Sequence, residues 1–236
     1  MKRRNAPYLL LTCEHGGNRI PAAYARLFRG ASAVLKSHRG WDPGALALAR
    51  SLARKLRRSL LPVTVSRLFV EANRAETNHR IWSQYTKNLP LAERRRILDR
   101  YWRPHRSRVE KTVAKAIARG QRVVHIAVHS FTPELNGEKR NADIGLLYDS
   151  RRKRERAVSR QWGNLLRRLD ASLRVRYNYP YAGVADGLPT WLRKRYPESR
   201  YVGIELEINQ AHVNGAGWPR FQQAIIESVR TLIAES

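Results

Sequence analysis

Two histidines stand where apolar runs end. Tyr8-Leu9-Leu10-Leu11-Thr12-Cys13 reads as a buried strand and leads straight into Glu14-His15-Gly16-Gly17-Asn18. Val123-Val124-His125-Ile126-Ala127-Val128-His129 is a second such run, followed by Ser130-Phe131-Thr132-Pro133. Imidazoles at the carboxyl ends of two core strands would meet over one sheet edge, and a metal site on an α/β scaffold is assembled in that way. His125, four residues before His129 and on the same face, is expected behind the site or in the core. A catalytic zinc takes three protein ligands and leaves a position for water. With no His-Glu-x-x-His present, the third ligand must be sought among Glu14, Asn18 and Asp42. Glu14 adjoins His15, and neighbours in extended backbone point apart. Asn18 has a suitable offset but offers only an amide. Asp42, in Gly40-Trp41-Asp42-Pro43-Gly44, carries the charge, yet Asp before Pro also reads as a helix N-cap.

Hydrolysis over such an ion needs a carboxylate that takes a proton from water and passes it to the leaving group. Glu205 and Glu207 lie two apart in Gly203-Ile204-Glu205-Leu206-Glu207-Ile208, so they share one face of a strand. Glu207, nearer the carboxyl end, is the first candidate base and Glu205 the second. The competing reading puts both in solvent on an edge strand. Cys13 offers another chemistry, a cysteine-dependent hydrolase with the thiol near His15 on one strand face. Its ordinary role is that of a small buried hydrophobe.

The elements that must position these residues follow from periodicity. Strands are expected at 8–13, 62–70, 122–129, 143–148, 173–177 and 201–208. A helix is expected from Asp42-Pro43 through about Arg58, with Leu48, Leu52 and Leu56 inside. Others are marked by Ala157 to Leu169 and by Trp218 to Leu232, and a helical run from Leu91 to Ala118 should break at Pro104. Strands alternating with helices argue for one α/β sheet covered on both faces, as one domain over residues 1–236.

The chain has 46 Lys and Arg against 19 Asp and Glu, a formal charge of +27. Such a surface attracts polyanions. The basic residues are spread over helical segments, and no zinc finger, RNA-binding sheet motif or basic zipper accompanies them, so the charge predicts loose polyanion association. A basic nucleic-acid-binding protein on a hydrolase fold is the alternative role. No apolar run reaches the roughly 20 residues of a membrane span, and no secretory leader is expected at the basic N-terminus. One cysteine leaves no disulfide framework. A cytoplasmic location is expected.

Several strings together carry a resemblance. Cys13-Glu14-His15-Gly16-Gly17-Asn18-Arg19-Ile20-Pro21, Gly40-Trp41-Asp42-Pro43-Gly44-Ala45, Ser66-Arg67-Leu68 with Ala72-Asn73-Arg74, and His129-Ser130-Phe131-Thr132-Pro133 resemble the N-formylglutamate amidohydrolase family. Arg140-Asn141-Ala142-Asp143-Ile144-Gly145, Asn178-Tyr179-Pro180-Tyr181-Ala182-Gly183 and Gly203 to Gln210 continue the likeness in order. The resemblance implies a three-layer α/β/α fold with a mixed central sheet, similar to the zinc-dependent aspartoacylase and succinylglutamate desuccinylase, with one zinc ion and hydrolysis of the amide of a small N-acyl, in particular N-formyl, acidic amino acid. Related enzymes use His-x-x-Glu and a distant His as ligands. His15 and His129 match, but Asn18 stands at the Glu position, which keeps Asp42 in contention. Asn73-Arg74 matches a pair that contacts substrate. For an acidic substrate, the arginine fork suits a carboxylate. Arg74 and Arg140 are the expected anchors, with Asp143 orienting Arg140 or a ligand histidine, and the loop of Asn178 and Tyr181 faces the substrate.

Overall fold

The structure is a computed structural model that describes residues 6–235. In chain order it contains β1 (Tyr8–Cys13), α1 (Ser32–Lys36), α2 (Ala45–Leu56), β2 (Leu60–Pro62), α3 (Leu91–Ile97), α4 (Arg103–Ala118), β3 (Val123–Phe131), the small hairpin β4 (Glu134–Leu135) and β5 (Glu138–Lys139), β6 (Ile144–Leu147), α5 (Lys153–Leu169), β7 (Val175–Tyr177), α6 (Leu188–Arg193), β8 (Tyr201–Asn209) and α7 (Trp218–Glu235). Six strands form one sheet in the order β2-β1-β3-β8-β6-β7. β2, β1, β3 and β8 run parallel, and β6 pairs antiparallel with β8, so the sheet is mixed as expected.

β3 and β8 are buried along all nine residues. Near-continuous Val, Ile and Leu runs of this kind require cover on both faces. One face, with Leu9, Leu11, Ile126, Ile204 and Leu206, packs on α2, α5 and α7. The other, with Leu10, Val123 and Tyr201, packs on α4 and α6. A third cluster around Phe69, Ile81, Ile97 and Trp102 sits beyond β2.

Three expectations change. Residues 62–70 do not form a strand: pairing stops at Pro62, and only an isolated bridge from Arg19 to Val65 continues it. The chain leaves the edge there in a turn, with Ser66 Oγ donating to Gly40 O at 2.8 Å and accepting from Leu68 N at 3.2 Å. The cap of α2 is Gly44, with φ +80°, and not Asp42. A Cβ at Gly44 would also fall 2.4 Å from Val213, so glycine is required twice over. The 91–118 run is interrupted before Pro104 by a π-helical turn, Leu98–Trp102. Proline offers no N–H and its ring crowds the carbonyl four residues back, and the wider turn relieves both.

Candidate active site

The parallel strands β1, β3 and β8 deliver their carboxyl ends to one place. Continuing β1 by one residue, Glu14 keeps the strand alternation and points to the α4 side, where the register sets His129 beside Glu207. The chain then turns, which swings His15 over the strand ends and separates it from Cys13. Gly17 makes this turn possible, because a Cβ there would fall 2.5 Å from Thr64 O. Asp42 reaches in from the segment before α2, with its amide donating to His15 O at 2.9 Å. The turn after β2 brings in Arg67 and Glu71.

His15, Asp42 and His129 form a buried cluster whose ligand atoms lie within 4.8 Å of one another. Asp42 Oδ2 is 3.3 Å from His15 Nδ1 and 2.9 Å from His129 Nδ1. Donors about 2.1 Å from a tetrahedral zinc stand ~3.4 Å apart, so this donor set fits the ion. Each imidazole is backed by a carboxylate on its other nitrogen. His15 Nε2 hydrogen-bonds Glu71 Oε1, and His129 Nε2 lies 3.3 Å from Glu14 Oε2. A carboxylate on the far side of the ring orients a metal-binding histidine; Glu71 makes that hydrogen bond to His15, while His129 Nε2 has no hydrogen-bond partner among the described residues.

The charges agree. Burial alone would raise the carboxyl of Asp42, but His15 and His129 hold it well below the usual carboxylate range. Against the same burial, Arg67 and His15 lower Glu71, and His105 and His129 lower Glu14. Burial would lower His129, yet Asp42 and Glu14 push it well above its ordinary value. The buried acids and imidazoles thus stabilise one another's charged forms, and a divalent ion held by His15, Asp42 and His129 would add positive charge at the same place.

Glu205 and Glu207 line the same cavity, of about 160 Å³, with His15, Asp42, Arg67, Asn73, Arg74, His129 and Tyr181. β8 is an interior strand, so the solvent-facing reading of these acids is excluded. Glu205 Oε2 accepts a long 3.5 Å bond from Asn73 Nδ2 and lies 4.0 Å from His129 Nε2. Glu207 is different: its buried Oε2 has no partner among the described residues. Burial, opposed by His129 and reinforced by Asp42 and Glu205, pushes its carboxyl up to about 8. A carboxyl poised near neutrality can both accept and return a proton.

The other expected residues divide. Asn73 sits under Glu205, and its Oδ1 accepts from Leu188 N at 2.7 Å. Arg74 lines the cavity and donates to Asp186 O. Arg140 does not line it; Nη1 donates to Tyr181 Oη at 3.0 Å at the exposed rim. Asn178 does not line it either, since its Oδ1 accepts from Tyr148 N and Gly183 N. Asp143 meets Arg174 and His212 rather than Arg140 or a ligand histidine. Asn18 is half-buried outside the cavity, and Glu14 lies beneath the cluster, with His105 Nε2 at 3.1 Å. His125 is behind the site as expected, between Thr12 Oγ1 at 2.8 Å and Tyr201 Oη at 2.7 Å. Cys13 packs with Leu9, Leu11 and α2 in the core, where burial raises its thiol well above the ordinary value. A buried, protonated thiol on the opposite sheet face cannot serve as the nucleophile.

Two residues escaped the sequence reading. Arg67 bridges Glu71 Oε2 at 2.8 Å and Asp42 Oδ1 at 3.4 Å, and Glu71 holds His15. The available signal was an acid closing the apolar run Leu68-Phe69-Val70, which is costly unless it is paired.

A mixed α/β sheet that gathers histidines and carboxylates at its parallel strand ends defines a hydrolase-like fold with a candidate metal centre. The profile of the N-formylglutamate amidohydrolase family matches residues 8–213, and the chain belongs to that family. A gene product of Agrobacterium tumefaciens shares 30% identity over 98% of this chain and 90% of its own, with a TM-score of 0.79. The N-formylglutamate amidohydrolase from Ralstonia eutropha JMP134 has the same fold at 20% identity, covering 98% and 95% of the two chains with a TM-score of 0.71. Among curated proteins, none matches.

Proposed function

We propose that this chain is a zinc-dependent amide hydrolase that removes the acyl group, formyl in the first instance, from an N-acyl acidic amino acid. One observation carries the reading. Two buried imidazoles turn Nδ1 to the same carboxylate oxygen, Asp42 Oδ2, and an unpartnered buried carboxyl, Glu207, shares their cavity. Family membership supports the same chemistry.

His15, Asp42 and His129 would hold the ion. When bound, zinc supplies a water whose pKa falls from 15.7 to about 7 and a Lewis acid for the scissile carbonyl. Glu207 takes the proton of the attacking water at its free Oε2 and returns it to the leaving amine nitrogen. The neighbouring Glu205, held by Asn73, helps to raise the carboxyl of Glu207 and so favours its protonated form after that transfer. Arg67 and Arg74 present guanidinium groups to a substrate carboxylate on one side of the cavity. At the rim, Arg140 and Tyr181 flank the mouth and meet the outer end of the substrate. Asn178 acts only by shaping the loop that carries Tyr181.

Elemental analysis of the purified chain, repeated on His15→Ala and His129→Ala, tests the site. About one zinc per chain in the wild type and its loss from both variants is expected, together with release of formate from N-formyl-L-glutamate by the wild type alone. Unchanged stoichiometric zinc in both variants would remove the proposed centre. Zinc binding without activity on a panel of N-formyl and N-acetyl amino acids would remove the substrate class.

A further inference from the structure

α4 packs on the sheet through Val109, Val113 and Ala116, and one turn earlier the same stripe carries an arginine. Arg106 is 3% exposed at a position where the period calls for an apolar side chain. Its guanidinium lies between two indole rings, 4.8 Å from the centroid of Trp102 and 5.3 Å from that of Trp191. Nη2 donates to the carbonyl oxygens of three successive residues, Ala72 at 3.3 Å, Asn73 at 3.0 Å and Arg74 at 2.8 Å. Trp102 Nε1 donates to the same Arg74 O at 3.1 Å. Nε and Nη1 of Arg106 have no hydrogen-bond partner among the described residues, so the hydrogen bonds of this buried cation go to carbonyls. Burial lowers the guanidinium to about 10, against the pull of Glu14, and leaves it charged at neutral pH.

The 72–74 turn presents its carbonyls to α4 and its side chains to the cavity. Asn73 Nδ2 donates to Glu205 Oε2 over 3.5 Å, and Asn73 Oδ1 accepts from Leu188 N at 2.7 Å. Arg74 Nη1 donates to Asp186 O, and Ala75 N donates to Asp186 Oδ2 at 3.0 Å. Trp191, the second ring on Arg106, belongs to α6, whose first residue is that same Leu188. Arg106 therefore stands where α4, the turn and α6 meet, behind the wall of the cavity that carries Asn73, Arg74 and Asp186. The π-helical turn Leu98–Trp102 ends on its other ring, and such turns recur at functional sites. A buried charge is a poor device for stability alone, because apolar groups of similar volume do as well or better. What an apolar side chain cannot do is fix the direction of three carbonyls.

We propose, on the reading of this cavity as the hydrolytic site, that Arg106 is a positioning residue for substrate: by holding the carbonyls of residues 72–74 it sets how Asn73 and Arg74 reach into the cavity. Arg106 does not line the cavity itself and acts through Arg74. Hydrogen bonds from a charged donor are about twice as strong as those between neutral groups. The planar fork, stacked on both faces, is pre-organised and loses little freedom in making them. With the clamp gone, the substrate carboxylate must itself order Arg74 on binding, and that cost falls on affinity rather than on the chemical step.

Amide hydrogen exchange and steady-state kinetics of the full chain, as purified, test the clamp. Arg106→Met fills the space between the indoles without donating, and should speed exchange across residues 71–78 at least about 10-fold while β3 and β8 stay protected. KM for N-formyl-L-glutamate should rise about 10-fold, with kcat within about 3-fold of the wild type. In an Arg74→Ala background that rise should disappear, since the two residues act as a unit. Arg106→Lys keeps a charged donor and should recover part of both losses. Trp102→Phe, which removes only the bond to Arg74 O, should shift exchange and KM in the same direction by about 2–3-fold, and serves where Arg106→Met does not fold. Unchanged exchange over 71–78 overturns the clamp, as does Arg106→Lys behaving like Arg106→Met. A fall in kcat at unchanged KM would make Arg106 purely structural and overturn its role toward substrate. If the wild type cleaves no N-acyl amino acid, the substrate reading fails, whereas the exchange result still decides whether Arg106 holds the turn.

Discussion

The two edges of the parallel half-sheet carry opposite electrostatic arrangements. At the carboxyl edge, Glu14, Asp42, Glu71, Glu205 and Glu207 are buried, and their charge is met by imidazoles, Arg67 and a proton. At the amino edge, Lys55, Arg57, Arg58, Arg119 and Arg200 stand in water, and among the described residues none of these five is in an ion pair. Burial explains the difference. A charge in the interior must be paired or must change its protonation, whereas an exposed charge costs little and is screened. The buried edge is therefore a place where one substitution disturbs every neighbour. The exposed edge should tolerate substitutions singly and respond only to long-range charge.

The largest expected effect is at His129 and Asp42. His129→Ala or Asp42→Ala should abolish zinc binding and lower kcat/KM by at least about 10³-fold, as loss of the nucleophile-generating centre requires; steady-state assay and metal content check this together. On the proposed mechanism, Glu207→Gln should bind zinc like the wild type yet lose roughly 10²–10⁴-fold in kcat, because the proposed general base is removed while the proposed ligands stay. If Glu205→Gln shows the larger loss in kcat instead, the two carboxylates exchange roles. Glu71→Gln should weaken zinc about 10–100-fold in a chelator competition, through the loosened His15 ring.

Acid–base behaviour sharpens the same contrast. In metal-free protein the carboxyl of Glu207, near 8, lies above its unfolded value of 4.5. The native state thus holds the proton more tightly than the unfolded chain. This contribution to stability is complete below about pH 4.5 and is lost as pH rises through about 8. Urea unfolding of the metal-free chain between pH 6 and 9 should show a fall that Glu207→Gln flattens. The smallest effect belongs to the other edge: Arg200→Gln alone should change stability by less than about 0.5 kcal/mol and leave hydrolysis unchanged.

Much of the site was legible in local pattern. The strand ends bearing His15 and His129, the shared face of Glu205 and Glu207, and the alternation that sent Glu14 away from His15 all follow from a two-residue period. Asp42 could not be separated from an N-cap, because Asp-Pro suits both and only Gly44's backbone decides. Arg140 and Arg74 looked equivalent as arginines inside motifs. Their difference, rim against cavity, depends on where the loop with Asp186 and Tyr181 lies. The strand expected over 62–70 failed because apolar alternation there serves a cluster beyond the sheet.

By itself, the sequence determined the types of most elements, the buried character of β1, β3 and β8, the excess of positive charge and the histidines and acids available for chemistry. These depend on neighbours a few residues apart. Only the tertiary structure decided that Asp42 and not Asn18 or Glu14 joins the histidines, that Glu71 and Glu14 stand behind their rings, and that Glu207 keeps an unpaired oxygen. Each of those facts is a distance between residues far apart in the chain, and such distances are set by strand order and burial rather than by local spacing.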